Sequence, residues 1–276
     1  MFEPLVIEAG RAEAHYWRDL WRYRDLFYFL AWRDLLVRYK QTVIGVAWAL
    51  IRPFLTMLIF VMIFGRVAGL PAGGMPYPLL VLAGMLPWQF FATALGESSS
   101  SLVANANLIT KIYFPRIILP VSSVMVALVD FAITLVLLAG AMLWYGHLPS
   151  WKICALPGFI ALALVAAIGP GLLVTALNVR FRDFRYIIPF IVQFGLYLSP
   201  VGFTSAVVAQ KFGETVGLLY SLNPMVGVID GFRWCLGGDA PLNLGSLGLS
   251  TALSMLLLWL GVSYFRRTEK SFADTI

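Results

Sequence analysis

Six long apolar stretches, at 43–65, 77–96, 117–145, 153–178, 186–203 and 247–265, occupy about half of this chain. Each is close to the roughly 20 residues that an α-helix needs to cross a bilayer. A single water-soluble core of this size has no room for so much apolar surface. The chain is 60% hydrophobic and 12% charged over 276 residues, whereas a soluble domain carries about a quarter of its residues as charges. The expected fold class is an all-α polytopic membrane protein with six transmembrane helices.

The connecting segments have patterns of their own. At 100° per residue, the stretch YWRDLWRYRDLFYFLA (16–31) puts Arg18, Arg22 and Asp25 on one side and Tyr16, Leu20, Tyr23, Phe27 and Ala31 on the other. It reads as an amphipathic interface helix within a cytoplasmic N-terminal region, 1–42. The N-terminus has no basic and apolar regions of a signal peptide, so the first span is expected to serve as its own targeting signal. Between the last two spans, 212–236 holds two apolar pieces, 216–222 and 225–229, broken by Asn223-Pro224. Each is too short to cross. An external re-entrant helical hairpin fits, because irregular backbone is tolerated at membrane depth when other protein covers it; a seventh span is the alternative. Of the twenty Lys and Arg, fifteen fall on the side of the N-terminus, four on the other, and Arg52 inside the first span. This places both termini, including the tail 268–276, in the cytoplasm.

Familiar catalytic patterns are absent from the sequence. No Gly-x4-Gly-Lys-Ser/Thr loop, Gly-x-Ser-x-Gly elbow or His-Glu-x-x-His helix occurs. Cys154 and Cys235, like His15 and His147, are far apart and in no metal-ligand spacing. The net charge of +6 is accounted for by basic cytoplasmic loops, with no nucleic-acid footprint. The acids within spans are Asp130 and, at an inner end, Glu97. A pairing of Asp130 with Arg52 is the expected structural role, with a transport role as the alternative.

The segment NANLITKIYFPR (105–116) is polar and broken by proline, yet it has an apolar face of Leu108, Ile109, Ile112 and Tyr113. Asn105 is a suitable N-cap, and the residue before Pro115 is disfavoured in helix. Lys111 and Arg116 suit the C-terminal end. Such a helix either docks into a groove on a soluble partner or rests on lipid headgroups.

Four stretches carry a resemblance: LVANANLITKIYFPRIILPVSSV (102–124), YRDLFYFLAWRDLLVRYKQTVIGVAWALIRPF (23–54), LNVRFRDFRYIIPFIVQFGLYLSPVGF (177–203) and LNPM (222–225). Together they resemble type-2 ABC exporter permeases of the O-antigen polysaccharide (Wzm-type) and teichoic acid branch, over essentially 16–267. The resemblance implies a homodimer in the bacterial inner membrane with two copies of a separate ABC ATPase. This chain would bind no cofactor, and ATP and Mg would sit on the partner. Asn105, Leu108, Ile109, Lys111, Ile112, Tyr113, Phe114, Pro115 and Arg116 would form the ATPase-coupling helix. The substrate would be a lipid-linked polysaccharide moved outward, with teichoic acid or capsule polymers as alternatives. A membrane-embedded glycosyl- or acyltransferase and an ion-coupled lipid flippase are the rivals of another class.

Two residue patterns agree with a glycan path. Phe190, Phe194 and Tyr197 share one face of the fifth span, and Trp88 and Phe91 one face of the second. Aromatic faces stack on rings without demanding a fixed hydrogen-bond pattern; packing or lipid-facing aromatics are the alternative. Arg33, Arg38 and Lys40, with Arg180, Arg182 and Arg185, could attract a pyrophosphate-linked lipid head; plain positive-inside topology accounts for them equally.

Overall fold

The computed structural model describes residues 16–40, 47–71, 73–181, 183–238 and 241–272. Among them there is no strand. Five helical stretches are long and apolar enough to cross a membrane: Ala47–Val67, Tyr77–Ala104, Ile118–Trp144, Trp151–Arg180 and Leu244–Ser271. We label the helices α1 (Tyr16–Arg22), α2 (Arg24–Lys40), α3 (Ala47–Phe60, continued by a π-helical stretch Val61–Val67), α4 (Tyr77–Ala104), α5 (Ala106–Lys111) and α6 (Ile118–Trp144). They continue with α7 (Leu156–Arg180), α8 (Phe184–Leu198), α9 (Ser205–Phe212), α10 (Glu214–Tyr220), α11 (Pro224–Cys235) and α12 (Leu244–Thr268).

Helix α4 is the axis of the bundle. It packs on α6, α7, α11, α3 and α8, and almost every residue from Leu79 to Leu95 is buried. Its apolar residues form the main core with Phe131 of α6, Phe159 of α7, and Met225, Ile229 and Phe232 of α11. Helices α7 and α12 meet backbone to backbone at Gly169 and Gly261. A Cβ on Gly261 would lie 2.1 Å from the Gly169 carbonyl oxygen, so both positions need glycine. Close backbone approach at small residues is the usual way helices gain packing where lipid is as apolar as the side chains.

The fifth apolar stretch departs from expectation. It was expected to span 186–203, but α8 has only 15 residues and stops at Leu198. Pro200 disfavours helical geometry at Ser199, which is extended. The carbonyls that leave the helix here find another donor. The guanidinium of Arg233, which is buried, donates to Val201 O (2.8 Å), Phe203 O (2.7 Å) and Leu80 O (3.2 Å). Buried carbonyls are costly without a partner, so one side chain from α11 secures the irregular segment against α4. Gly84 makes room for it, since a Cβ there would sit 2.7 Å from Arg233 Nη2.

The segment between α8 and α12 is three helices. The break at Asn223-Pro224 falls as expected: the Asn223 side chain accepts from Met225 N–H at 3.0 Å, with Pro224 in the first turn of α11. Helix α9 was not expected. A second apolar cluster lies at the opposite end of α4, where Leu30, Leu102, Ile109, Phe114, Ile118, Phe265 and Phe272 are buried. The N-terminal face of Tyr16, Leu20, Tyr23 and Phe27 packs on it, although the helix is interrupted at Tyr23. Trp17, Trp21, Tyr28, Phe29 and Trp32 point outward and are exposed.

Candidate functional site

The 105–116 segment leaves α4 at this second cluster. Only Ala106–Lys111 is helical, because Ile112 is extended and Pro115 restrains Phe114. Asn105 does not cap α5 with its side chain. Its Nδ2 donates to Ser101 O and its Oδ1 accepts from Arg33, each at 2.9 Å, so it ties the α4–α5 corner to α2. The expected apolar face divides in two. Ile109 and Phe114 are buried inside the chain, as is Pro115, and Leu108 is half-buried. Ile112 (54% exposed) and Tyr113 (48%) project outward, beside exposed Lys111. Four apolar groups therefore anchor the segment, and two present it.

The far end is held by the last helical turn of the chain. The Glu269 carboxylate accepts from Arg116 N–H at 2.6 Å, and the Arg116 guanidinium donates to the Glu269 carbonyl. Arg266 lies over the Tyr16 ring at 4.7 Å and over Trp17 at 5.9 Å. Burial and then Glu269 push the Tyr16 hydroxyl above its usual range, so it stays protonated. Tyr16, Arg116, Arg266 and Glu269 line a cavity of about 380 Å³ that joins α1, the 113–116 turn and the end of α12. Sequence reasoning missed Glu269; the signal was a single acid within the basic run RRTEK (266–270).

A larger cavity, about 540 Å³, lies between α2, α3, α4 and α6. Arg38 bridges Glu97 (2.6 Å) and Asp130, and the Tyr39 hydroxyl donates to Asp130. The expected Asp130–Arg52 pair is not formed, because α2 runs along α6 and brings Arg38 and Tyr39 to Asp130 first. Arg52 is exposed in the same cavity.

The six basic residues expected to meet a lipid head do not act alike. Arg33 is held by Asp34 (2.7 Å) and Asn105, and Arg38 by Glu97 and Asp130. Lys40 and Arg185 are exposed, Arg180 lies over the Phe181 ring at 5.3 Å, and Arg182 lies outside the described residues. The aromatics also divide. Phe190, Phe194 and Tyr197 are exposed along one face of α8, with the first two rings 4.2 Å apart. Trp88 and Phe91 are only 5% and 8% exposed. Trp88 fills the space where Gly195 lacks a side chain, 2.5 Å from the Cβ position. They pack α4 against its neighbours and do not face an open path within the chain, since helix-helix burial claims the larger rings of the central helix.

Comparison with known proteins extends over nearly the whole chain. It is 29% identical over 261 residues to the O-antigen export system permease protein RfbA of Myxococcus xanthus, covering 94% of this chain and 98% of that one. A Klebsiella pneumoniae protein of the same name is 27% identical over 91% of this chain and 95% of its own length. The polysialic acid transport protein KpsM of Escherichia coli is 20% identical over 87% of this chain and 92% of its own. The profile of the ABC-2 type transporter family matches residues 25–236, from α2 through α11. That match takes in the central α4, the 105–116 segment and helices α9 to α11 as one unit, and the chain belongs to the ABC-2 type transporter family.

Proposed function

We propose that this chain is the permease subunit of an ATP-driven exporter in the bacterial inner membrane. It moves a lipid-linked, O-antigen-like polysaccharide from the cytoplasmic to the outer side. The carrying observation is end-to-end similarity to proteins named as O-antigen export permeases; the weaker likeness to KpsM favours capsule polymer as the second reading. Two copies of the chain work with two copies of a separate ABC ATPase, which holds ATP and Mg. The 105–116 segment couples them. Ile112 and Tyr113 are its docking anchors, while buried Ile109 and Phe114 carry displacement of the segment into the base of α4 and α6. Both termini lie in the cytoplasm, as the Lys and Arg distribution favours.

Ile112→Asp tests this. The side chain touches no buried cluster of its own chain, so the permease should fold as usual. A charge in a desolvated contact is strongly unfavourable, so the partner ATPase should fail to co-purify and export should stop. A normal complex and normal export from the variant would overturn the assignment.

A further inference from the structure

The 540 Å³ cavity between α2, α3, α4 and α6 has a composition that the packing of the bundle does not call for. Its charges balance: Arg38 and Arg52 against Glu97 and Asp130. Arg38 and both acids are joined to one another. Arg52 is exposed and makes no ion pair among the described residues. Gln89 also lines the cavity, and its carboxamide oxygen is buried without a hydrogen-bond partner. Trp48 stands at the wall with half of its surface exposed.

Each feature narrows the ligand. The lining charges sum to zero, so an anion drawn to Arg52 is repelled by the excess acid of the Arg38–Glu97–Asp130 cluster, and a cation drawn to that acid is repelled by Arg52. A lipid tail would leave the guanidinium and the carboxamide unsatisfied, which is costly in a water-poor place. A neutral group with several hydroxyls satisfies them all, because each hydroxyl both donates and accepts. It would take hydrogen bonds from Arg52, give them to the Gln89 oxygen and the Glu97 carboxylate, and lay an apolar ring face on the Trp48 indole. The volume is in the range of small-ligand sites and holds one or two pyranose rings.

We propose that this cavity is a binding site for a single neutral sugar unit, with Arg52 and Gln89 as its polar contacts and Trp48 as its stacking wall. The chemical class rests on the cavity alone. Only the identification of that sugar with a unit of the exported polymer rests on the export reading.

The test uses the full chain in phosphatidylcholine nanodiscs, free of sugar-headed detergent. Maltose and the methyl glycosides of glucose, galactose, mannose, rhamnose and N-acetylglucosamine are examined by saturation-transfer NMR. Inorganic pyrophosphate is the anionic competitor. At least one glycoside should show saturation, unaffected by pyrophosphate. Arg52→Leu with Gln89→Leu should weaken it about tenfold, the loss of two hydrogen bonds, and Trp48→Ala should reduce it likewise. Among the described residues neither Arg52 nor Gln89 has a side-chain bond to lose, so the variant should keep its monodispersity and melting temperature. Saturation by none of the glycosides, saturation indifferent to the double variant, or displacement by pyrophosphate would each overturn the proposal. The ATPase is absent from this measurement, so a failed Ile112 experiment leaves it standing, and the reverse.

Discussion

Glu269→Ala isolates the contact that closes the 105–116 segment onto the end of α12. In the native chain the carboxylate accepts the Arg116 N–H at 2.6 Å. A hydrogen bond to a charged acceptor is worth about 1.5–3 kcal/mol. Arg116 and Glu269 are both half-buried, which puts the value near the lower end, about 1.5 kcal/mol. The Arg116 guanidinium still reaches the backbone carbonyl at residue 269 in the variant, so the turn is loosened rather than released. A loss of about 1.5 kcal/mol is roughly a tenfold increase in local opening. Amide hydrogen exchange reads it directly. Ile118 N–H, bonded to Pro115 O at 3.1 Å, and Leu119 N–H, bonded to Arg116 O at 3.2 Å, should exchange about tenfold faster. Peptides of α11 at the other end should be unchanged. If a segment loosened in this way transmits force poorly, ATP hydrolysis by the complex should persist while polymer export falls. Equal exchange at Ile118 and Leu119 in both proteins would refute the view that Glu269 holds this turn.

Replacing Phe190, Phe194 and Tyr197 together by Leu should abolish the surface polysaccharide ladder on immunoblots, since leucine cannot stack on sugar rings; a wild-type ladder would mean that these rings face lipid. Trp88→Ala should destabilise the chain by about 3–5 kcal/mol, the usual range for a buried Trp, seen as a lower melting temperature in detergent. Gly195→Ala should also lower it, because its Cβ would meet the Trp88 ring at 2.5 Å. After exposed Cys154 is replaced by Ser, Glu214→Cys should react with an impermeant maleimide from outside, and Lys111→Cys only after permeabilisation. The reverse pattern would overturn the topology.

Much of the fold was legible because spanning a bilayer is a demand on composition and length. The apolar runs marked all five long helices to within a few residues, apart from α4, which continues about eight residues past its expected end. Asn223-Pro224 marked the start of α11 through local chemistry, a side-chain cap and a fixed φ. The amphipathic period of 16–31 defined the face of Tyr16, Leu20, Tyr23 and Phe27, which was expected to lie at a bilayer interface and packs on the chain's own second cluster. Each of these rests on interactions between residues close together in the chain.

Pairing across the bundle was not legible. Asp130 and Arg52 looked like partners because both lie within spans, yet Arg38, 92 residues away in sequence, takes the acid. The aromatic pair of α4 and the aromatic trio of α8 have the same spacing logic, but one is buried and the other open. Periodicity defines a face; only the neighbouring helices decide whether that face meets protein. Likewise Arg233 counted as one more external cation until the fold brought it under the broken end of α8. The sequence by itself determined where the long apolar helices lie and where α11 begins, since backbone hydrogen bonding and transfer from water act locally. The tertiary structure decided which charges are spent inside the chain and which remain to meet a ligand, since an ion pair depends on distances that only the packed helices set.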